Sequence, residues 1–277
     1  MMVMGYPLNE LIWLAVLILA GGLITGVLAG LFGIGGGGII VPVLYEVFGV
    51  LHISDDVRMQ LCIGTSLAII VPTSVSSYLN HKKKGAPVPG VIRTWLVPAT
   101  VGVVVGSVAA AFAPGAVFKI AFVFFTTFIS AKMLFAGDRW NLSEELPGRA
   151  LLSFYGFVLG LVSSLIGVSG GSVSNLMLTM YGQPMQRAVA TSAGIGVPIT
   201  IVGALGYVIA GWPHMAQLPP LSLGFVSVIG FVLMAPVSSY TTTYGVRLAH
   251  WMPKRQLEIA FGIFLMLVSL RFIATLI

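Results

Sequence analysis

Charged side chains are scarce in this sequence: Asp, Glu, Lys and Arg make up only 8% of its 277 residues, whereas a soluble domain carries about 25%. Such a chain has too few polar side chains to cover a surface that faces water. Hydrophobic residues make up 57% of it, and the mean hydropathy is +1.03. We therefore expect a multi-pass integral membrane protein of the cell (inner) membrane, with its surface in contact with lipid.

Several kinds of site are excluded by what the sequence lacks. Cys62 is the only cysteine, which excludes an internal disulfide and any metal site built from several cysteines. The chain has no Gly-Lys-Thr/Ser phosphate-binding loop, and therefore no ATPase of its own. No charged residue lies clearly in the middle of an apolar run, although a proton pump or a carboxylate-gated cation pathway normally needs one. Its basic residues lie in short loops and set membrane topology, so we predict no nucleic-acid partner, no metal and no cofactor.

Ten apolar runs follow one another along the chain, and a helix needs about 20 residues to cross a membrane. The runs cover residues 10–32, 37–50, 61–80, 91–113, 116–136, 150–167, 171–182, 188–211, 219–248 and 254–276. The runs at 37–50 and 171–182 are too short to cross, and each follows a glycine-rich break. This pattern predicts an all-α membrane protein with about eight to ten membrane helices, two of them short and broken or re-entrant.

The second half of the sequence repeats the first in three ordered blocks. Met59-Gln60 and Thr65-Ser66 match Met185-Gln186 and Thr191-Ser192, and a proline follows each threonine at the same distance. The glycine breaks precede these residues in both halves. The order of the blocks indicates an internal duplication. We divide the chain into three parts: a first membrane repeat at 1–137, a cytoplasmic linker at 138–149 and a second membrane repeat at 150–277.

Equivalent loops of the two halves differ in basic charge. The strongest basic loop holds Lys82, Lys83 and Lys84, whereas its counterpart at 211–220 has no Lys or Arg. Since basic loops stay in the cytoplasm, the first loop is assigned to the inside and the second to the outside. Applied to the whole chain, this rule leaves only three of the 14 basic residues outside: Arg58, Lys119 and Arg271. The opposite charges predict an inverted repeat with both termini outside.

The two glycine breaks are the candidate binding site. A helix that begins at such a break presents free N–H groups and the positive end of its dipole, and glycine lets a ligand come close. Two such starts near the midplane would hold an anion. Close packing of helices is the other interpretation of these glycines. The predicted substrate-binding residues of the breaks are Gly35, Gly36, Gly37, Gly38, Ser169, Gly170, Gly171, Ser172 and Asn175.

The pairs Thr65-Ser66 and Thr191-Ser192 complete the predicted site. Each pair lies near the start of an apolar run, and the proline beyond it frees a carbonyl and bends the helix. The hydroxyls could line the pathway or cap a neighbouring backbone segment, and the sequence leaves both open. Glu46 is the candidate for coupling to a proton or a sodium ion, although a carboxylate near the end of a span ordinarily reaches out to water.

An intramembrane serine protease is the rival from another functional class. Residues 167–170 read Gly-Val-Ser-Gly, similar to the G-x-S-G motif of rhomboid proteases. Such an enzyme needs a histidine beside Ser169 at the same depth, but His214 and His250 fall in loops. The equivalent position in the first half is Gly35, which indicates a binding element. We therefore predict no catalytic residue and no enzyme activity. An anion channel is a further alternative.

The duplicated pattern resembles the sulfite exporter TauE/SafE family, also called toluene sulfonate uptake permeases, over about residues 12 to 275. The resemblance rests on residues 33–37, Val41-Pro42, Gly64-Thr65-Ser66, 167–171 and Thr191-Ser192. It implies a small transporter without an ATPase that moves sulfite, sulfonates or related anions, often outward. Many members have Gly-Gly-Gly where the second block here reads Gly-Val-Ser-Gly-Gly-Ser, a difference that bears on the substrate more than on the fold.

We therefore expect a secondary active transporter that exports small sulfur-containing anions, such as sulfite, sulfoacetate or other sulfonates, by alternating access. Its partners would be the small anionic substrate, membrane lipid and a coupling proton or sodium ion. The oligomeric state is left open. Because the second break has serines where the first has bare glycine, we expect substrate choice to lie mainly in the second repeat.

Overall fold

The structure is a computed structural model that describes residues 2–3, 6–32, 37–84, 87–136, 143, 145–248 and 254–275. These residues form ten α-helices: α1 Leu8–Phe32, α2 Gly37–Val50, α3 Asp55–Lys84, α4 Val91–Phe112, α5 Gly115–Ala131, α6 Arg149–Ile166, α7 Gly171–Met180, α8 Met185–Gly211, α9 Val228–Leu248 and α10 Lys254–Ala274. A π-helical segment, Lys132–Ala136, extends α5, and a 3-10 helix, Trp212–Gln217, follows α8. Two short antiparallel hairpins pair β1 Met2–Val3 with β2 Tyr6–Pro7, and β3 Ser222–Leu223 with β4 Val226–Ser227.

Five spans in this part of the chain are long and apolar enough to cross a membrane: Asp55–Leu79, Val91–Phe112, Gly115–Phe135, Arg149–Ile166 and Arg187–Gln217. The 14 residues of α2 rise about 21 Å and the 10 residues of α7 about 15 Å, less than the roughly 30 Å of a hydrocarbon core. The predicted all-α membrane fold with short helices after both breaks is confirmed.

One apolar run is not helical along its whole length. The run at 219–248 begins with the β3–β4 hairpin, and α9 starts only at Val228. Gly224 forms the turn of the hairpin with φ 52°, and a Cβ there would lie 2.0 Å from the carbonyl oxygen of Val208. The hairpin therefore packs directly against α8, in a place where hydrophobicity alone suggested a longer membrane helix.

Helices of the first half pack against helices of the second half. α1 packs on α9, and α4 packs on α6. Glycines bring these helices together, since a Cβ on Gly26 would lie 2.3 Å from the Ser238 oxygen and one on Gly160 would lie 2.0 Å from the Ala99 oxygen. The two interfaces correspond to each other, because α1 matches α6 and α9 matches α4 in the duplicated sequence.

The central helices α3 and α8 run antiparallel. Gly64 on α3 contacts Tyr207 near the end of α8, whereas Gly194 near the start of α8 contacts Tyr78 further along α3. An inverted repeat requires equivalent helices to run in opposite directions, and α3 and α8 are equivalent in the sequence. The inversion and the division into two repeats stay predictions. Half of the predicted linker, 138–149, lies outside the described residues.

Candidate substrate site at the two helix breaks

The two short helices begin side by side in the interior of the molecule. A Cβ built on Gly37, the first residue of α2, would lie 2.3 Å from the carbonyl oxygen of Gly167. From this point α2 runs to the start of α3, where the Tyr45 hydroxyl donates to Asp55 (3.1 Å). α7 runs toward the start of α8, where Asn175 contacts Ser192. Because α3 and α8 are antiparallel, the short helices meet at their N-termini and point to opposite ends.

Glycine is required at two positions of the second break. Gly167 has φ 71° and Gly170 has φ 74°, values in the left-handed region that other residues rarely adopt. Gly167 ends α6 and Gly170 precedes α7, so these two residues make the turn between the helices. Gly170, the N-cap residue of α7, has no side chain that could cap the helix. The first backbone N–H groups of α7, those of 171–173, have no carbonyl partner within the helix and face the break, where the helix dipole favours negative charge.

Serine side chains from both repeats meet at the second break. The Ser66 hydroxyl on α3 donates to the carbonyl oxygen of Gly167 (2.8 Å). The Ser192 hydroxyl on α8 contacts Oδ1 of Asn175 and accepts from the Ser174 hydroxyl (2.7 Å). All four polar side chains are buried. Since Oδ1 of Asn175 is used in this way, its Nδ2 group is the part of the amide that can donate to an anion.

Ser169 lies where the break meets both central helices. It is 4% exposed, and a Cβ on Gly196 of α8 would lie 3.4 Å from its Cβ and 3.6 Å from the hydroxyl of Ser74 on α3. Gly196 was not predicted as a site residue. Its position one turn after Ser192, on the same face of α8, is the feature of the sequence that could have identified it. Neutral polar groups, backbone and glycine therefore surround this part of the second break.

The threonines of the two Thr-Ser pairs hold loops. The Thr65 hydroxyl accepts from the backbone N–H of Ser227 (2.8 Å), and the Thr191 hydroxyl accepts from that of Val88 (2.8 Å). Both threonines are fully buried. This is the capping role that the sequence left open, at matching positions of the two repeats. A contact between these threonines and substrate stays a prediction.

The remaining predicted residues differ in how far the structure describes them. Gly35 and Gly36 lie outside the described residues, and of Ser172 only the backbone is described, in the first turn of α7. Gly171 is the first residue of α7. Gly38 faces α10, because a Cβ there would lie 3.3 Å from a methyl group of Leu265. Their roles in substrate binding stay predictions.

Glu46, the predicted coupling residue, lies far along α2 from the breaks. Its carboxylate pairs with Arg271 of α10 at 3.1 Å, and both side chains are more than half exposed. An exposed ion pair of this kind contributes roughly 0–1 kcal/mol. The geometry is that of a surface contact between two helix ends, and the coupling role stays a prediction.

A second ion cluster lies at the same end of the molecule. The Asp55 carboxylate accepts from the Tyr45 hydroxyl and pairs with Arg58 (3.1 Å) and with Lys119 (3.6 Å). Lys119 is only 5% exposed, and its ammonium group also lies 5.1 Å from the centre of the Tyr45 ring. Lys119 therefore joins the start of α5 to the start of α3.

His214, a candidate for the histidine that a serine protease would need, does not lie beside Ser169. His214 stacks on Phe225 (5.5 Å between ring centres), and Phe225 contacts Gly64 of α3. Ser169 lies near Ser74, which is ten residues, or about 15 Å, further along α3 than Gly64. His250 lies outside the described residues. The geometry of His214 does not favour the protease alternative.

Comparisons with known proteins agree with the resemblance seen in the sequence. The sequence profile described as "Sulfite exporter TauE/SafE" matches residues 18–272. A protein of Haemophilus influenzae named as a probable membrane transporter is 27% identical over 251 residues, which cover 90% of this chain and 94% of the relative. A protein of Methanocaldococcus jannaschii with the same description is 28% identical over 260 residues, 90% of this chain and 92% of the relative. A probable membrane transporter of Bacillus subtilis is 27% identical over 224 residues, 72% of this chain and 81% of the relative.

Proposed function

The chain belongs to the sulfite exporter TauE/SafE family and is a multi-pass membrane transporter, and on this premise we propose that it carries small sulfur-containing anions such as sulfite, sulfoacetate or other sulfonates. We further propose that it lies in the cell inner membrane, works as a secondary exporter by alternating access, and binds its substrate at the second helix break.

One observation carries this proposal: a helix N-terminus with glycine as its N-cap lies beside buried neutral polar side chains. α7 begins at Gly171, and its first N–H groups face the same break as Asn175 and Ser169. A helix N-terminus attracts anions by its N–H groups and by its dipole. The tetrahedral oxygens of a sulfonate or the pyramidal oxygens of sulfite each need several donors, which one helix end and nearby side chains supply.

Neutral donors also suit a transporter that has to release its substrate. A buried Lys or Arg would hold the anion by a strong charge-assisted bond and would be costly to leave unpaired after release. The described contacts around the second break are hydroxyl, amide and backbone groups. The binding free energy is then a sum of modest hydrogen bonds in a dry site, which allows rapid exchange.

The proposed asymmetry of the site follows from the serines. Ser66 comes from the first repeat and Ser192 from the second, yet both contact the second break or the helix that follows it. The first break supplies Gly37, which packs against Gly167 and adds no side chain. Substrate choice would then depend on residues of α7, and a substitution there should change which anion is carried.

Binding and flux measured on the purified, reconstituted protein test this function. We expect saturable binding of sulfite, sulfoacetate or a taurine-like sulfonate, and much weaker binding of carboxylates of the same size. Uptake into vesicles should saturate and follow the substrate gradient or an imposed ion gradient. If no small anion binds, or if Ser169→Ala and Asn175→Leu leave binding intact, the proposed site is wrong. Flux that rises linearly with concentration would favour a channel.

A further inference from the structure

Thr65 and Thr191 hold two loops that close opposite ends of the molecule. We propose that the Thr65–Ser227 and Thr191–Val88 hydrogen bonds are a matched pair of latches, and that transport opens one at a time. The inference deepens the proposed function, because it rests on alternating access. It assigns the repeated threonines to gating, as positioning residues, and leaves the anion to the serines and to the start of α7.

The first loop is the β3–β4 hairpin, which we call the hairpin gate (Ser222–Ser227). Its Phe225 is 1% exposed, and its ring lies 6.4 Å from that of Tyr207 and 5.5 Å from that of His214. Phe225 also forms part of the wall of a cavity of about 320 Å³ at the surface, together with Gln60 and His214. Tyr207 reaches inward and donates to the carbonyl oxygen of Ser164 (2.7 Å). Phe225 therefore lies between a surface cavity and the interior.

The second loop is the segment at 87–90 between α3 and α4, which we call the Val88 gate. Val88 is 4% exposed and packs in a cluster with Leu178 of α7, with Ala188 and Ile195 of α8, and with Trp95 of α4. Like the hairpin gate, it precedes a long helix and places a buried apolar side chain against a central helix, which in this case is α8. The two gates occupy equivalent places in the duplicated sequence.

The latches lie far apart, with the second break between them. Thr65 and Tyr78 are 13 residues apart on α3, which corresponds to about 20 Å along the helix. Tyr78 faces Gly194 of α8, and Thr191 lies almost one helical turn closer to the start of α8. Between these levels, Ser66 contacts Gly167 and Ser74 lies near Ser169. An anion at the break would thus have one latched loop toward each end of the pathway.

Each latch is a single buried hydrogen bond between the central helix of one repeat and a loop of the other. Ser227 and Val88 each donate a backbone N–H, and each hydroxyl accepts it at 2.8 Å. A buried N–H that loses its acceptor must find water or another partner. Loosening a latch therefore favours the state in which its own loop has moved out and water has entered. The other latch is unaffected, because the two share no residue.

Side-specific thiol labelling tests the latches without any knowledge of the substrate. The starting protein carries Cys62→Ala, which removes the native thiol, and Ser169→Cys, which places a reporter at the break. A membrane-impermeant maleimide is applied to right-side-out and to inside-out vesicles without substrate. We expect Thr65→Val to raise the labelling rate at least tenfold from the side of the hairpin gate only. Thr191→Val should raise it by a similar factor from the opposite side only.

Matched variants separate a latch from a general loss of structure. Thr65→Ser and Thr191→Ser keep the acceptor and should return labelling to the starting rate. Thr100→Val removes a hydroxyl that bonds only to Leu96 of its own helix and should change neither side. If the valine variants fold poorly, Phe225→Ala and Val88→Ala provide the same comparison at the gates themselves.

The possible outcomes distinguish this inference from the proposed function. If both valine variants raise labelling from the same side, or neither changes it in folded protein, the latch assignment is wrong. Anion binding by the protein with Ser169 intact is a separate measurement, because the reporter replaces one of the proposed binding residues. If sulfite and the sulfonates fail to bind while opposite-sided labelling is found, the anion site is wrong and the latches remain.

Discussion

Gly37 in the first half of the chain lies so close to Gly167 in the second half that no side chain fits between them. A Cβ on Gly37 would lie 2.3 Å from the Gly167 oxygen and 2.8 Å from the Cα of Val168, and both of these atoms belong to the backbone. Backbone cannot turn aside as the end of a flexible side chain can. The two breaks therefore form one joint, and the residue that holds it closed is a glycine.

Gly37→Ala should force the two breaks apart. We expect a loss of about 1–3 kcal/mol in the free energy of unfolding, the usual cost of overpacking, together with loss of transport. The control is Gly38→Ala, whose Cβ would meet side chains alone, a methyl group of Leu265 at 3.3 Å and the ring of Phe261 at 3.7 Å. Thermal unfolding of both purified variants is the measurement. Equal melting temperatures would show that the close approach of the breaks does not matter.

Ser66→Ala should leave the Gly167 carbonyl without its donor. We expect a destabilisation of about 1–2 kcal/mol and weaker anion binding, because the turn of the second break loses its tie to α3. Ser130→Ala is the matched control, since Ser130 donates to the Gly262 carbonyl (2.6 Å) between α5 and α10. Calorimetric unfolding should show similar losses for both variants. Only Ser66→Ala should change the anion affinity, and an equal change in both would contradict its role at the site.

Asn175→Asp should repel an anion from the start of α7. It replaces a buried amide by an acid of the same shape, and we expect at least a tenfold loss of affinity near neutral pH, or about 1.4 kcal/mol. Gln183→Glu makes the same chemical change beyond the other end of α7 and should have little effect. Titration of the anion by calorimetry tests this. Unchanged binding in Asn175→Asp would place the anion elsewhere.

Asp55→Asn should destabilise the protein more than Asp56→Asn does. Asp55 and Asp56 are both exposed, but Asp55 is the ionic partner of the buried Lys119, whereas Asp56 bonds to Ser54. Because the Asp55 side chain is 65% exposed, we expect its loss to cost about 1 kcal/mol, against a few tenths for Asp56. Thermal unfolding compares the two variants. If they melt together, Lys119 does not depend on the carboxylate of Asp55.

Glu46→Gln should leave the pH dependence of transport unchanged. Its carboxylate is exposed and paired with Arg271, so we expect a stability change below about 1 kcal/mol and no effect on coupling. Arg271→Gln breaks the same pair from the other side and should behave alike. Uptake measured across a range of pH values checks both. A changed profile in Glu46→Gln alone would instead support the predicted role of Glu46 as the coupling residue.

The sequence predicted the helices well because hydrophobic runs and glycine breaks are local signals. The short helices after residues 33–38 and 167–172 needed only their lengths and the glycines before them. The hairpin at 222–227 was not predicted, because a local signal such as hydrophobicity does not distinguish it from a membrane span. Its residues are as apolar as a membrane span, and only their packing against α8 and Thr65 shows that they form a loop.

The candidate site could be predicted in part. The repeated spacing of Thr65-Ser66 and Thr191-Ser192 directed attention to α3 and α8, the two helices whose serines contact the second break or α7. It could not divide each pair into a threonine that holds a loop and a serine that contacts the second break or α7. That division depends on which face of α3 and α8 each residue occupies, and on loops more than 100 residues away in sequence.

The pairing of α1 with α9 also has a consequence for synthesis. α1 enters the bilayer early, and its Gly21 packs against Val43 of the next helix, but the face that bears Gly22 and Gly26 is complementary to a helix that is made some 200 residues later. Until α9 arrives, this face lacks its partner. α1 must therefore be held in the bilayer by its hydrophobicity and its contacts with α2 and α3, and a protein truncated before α9 would expose a glycine-lined face for membrane quality control to recognise.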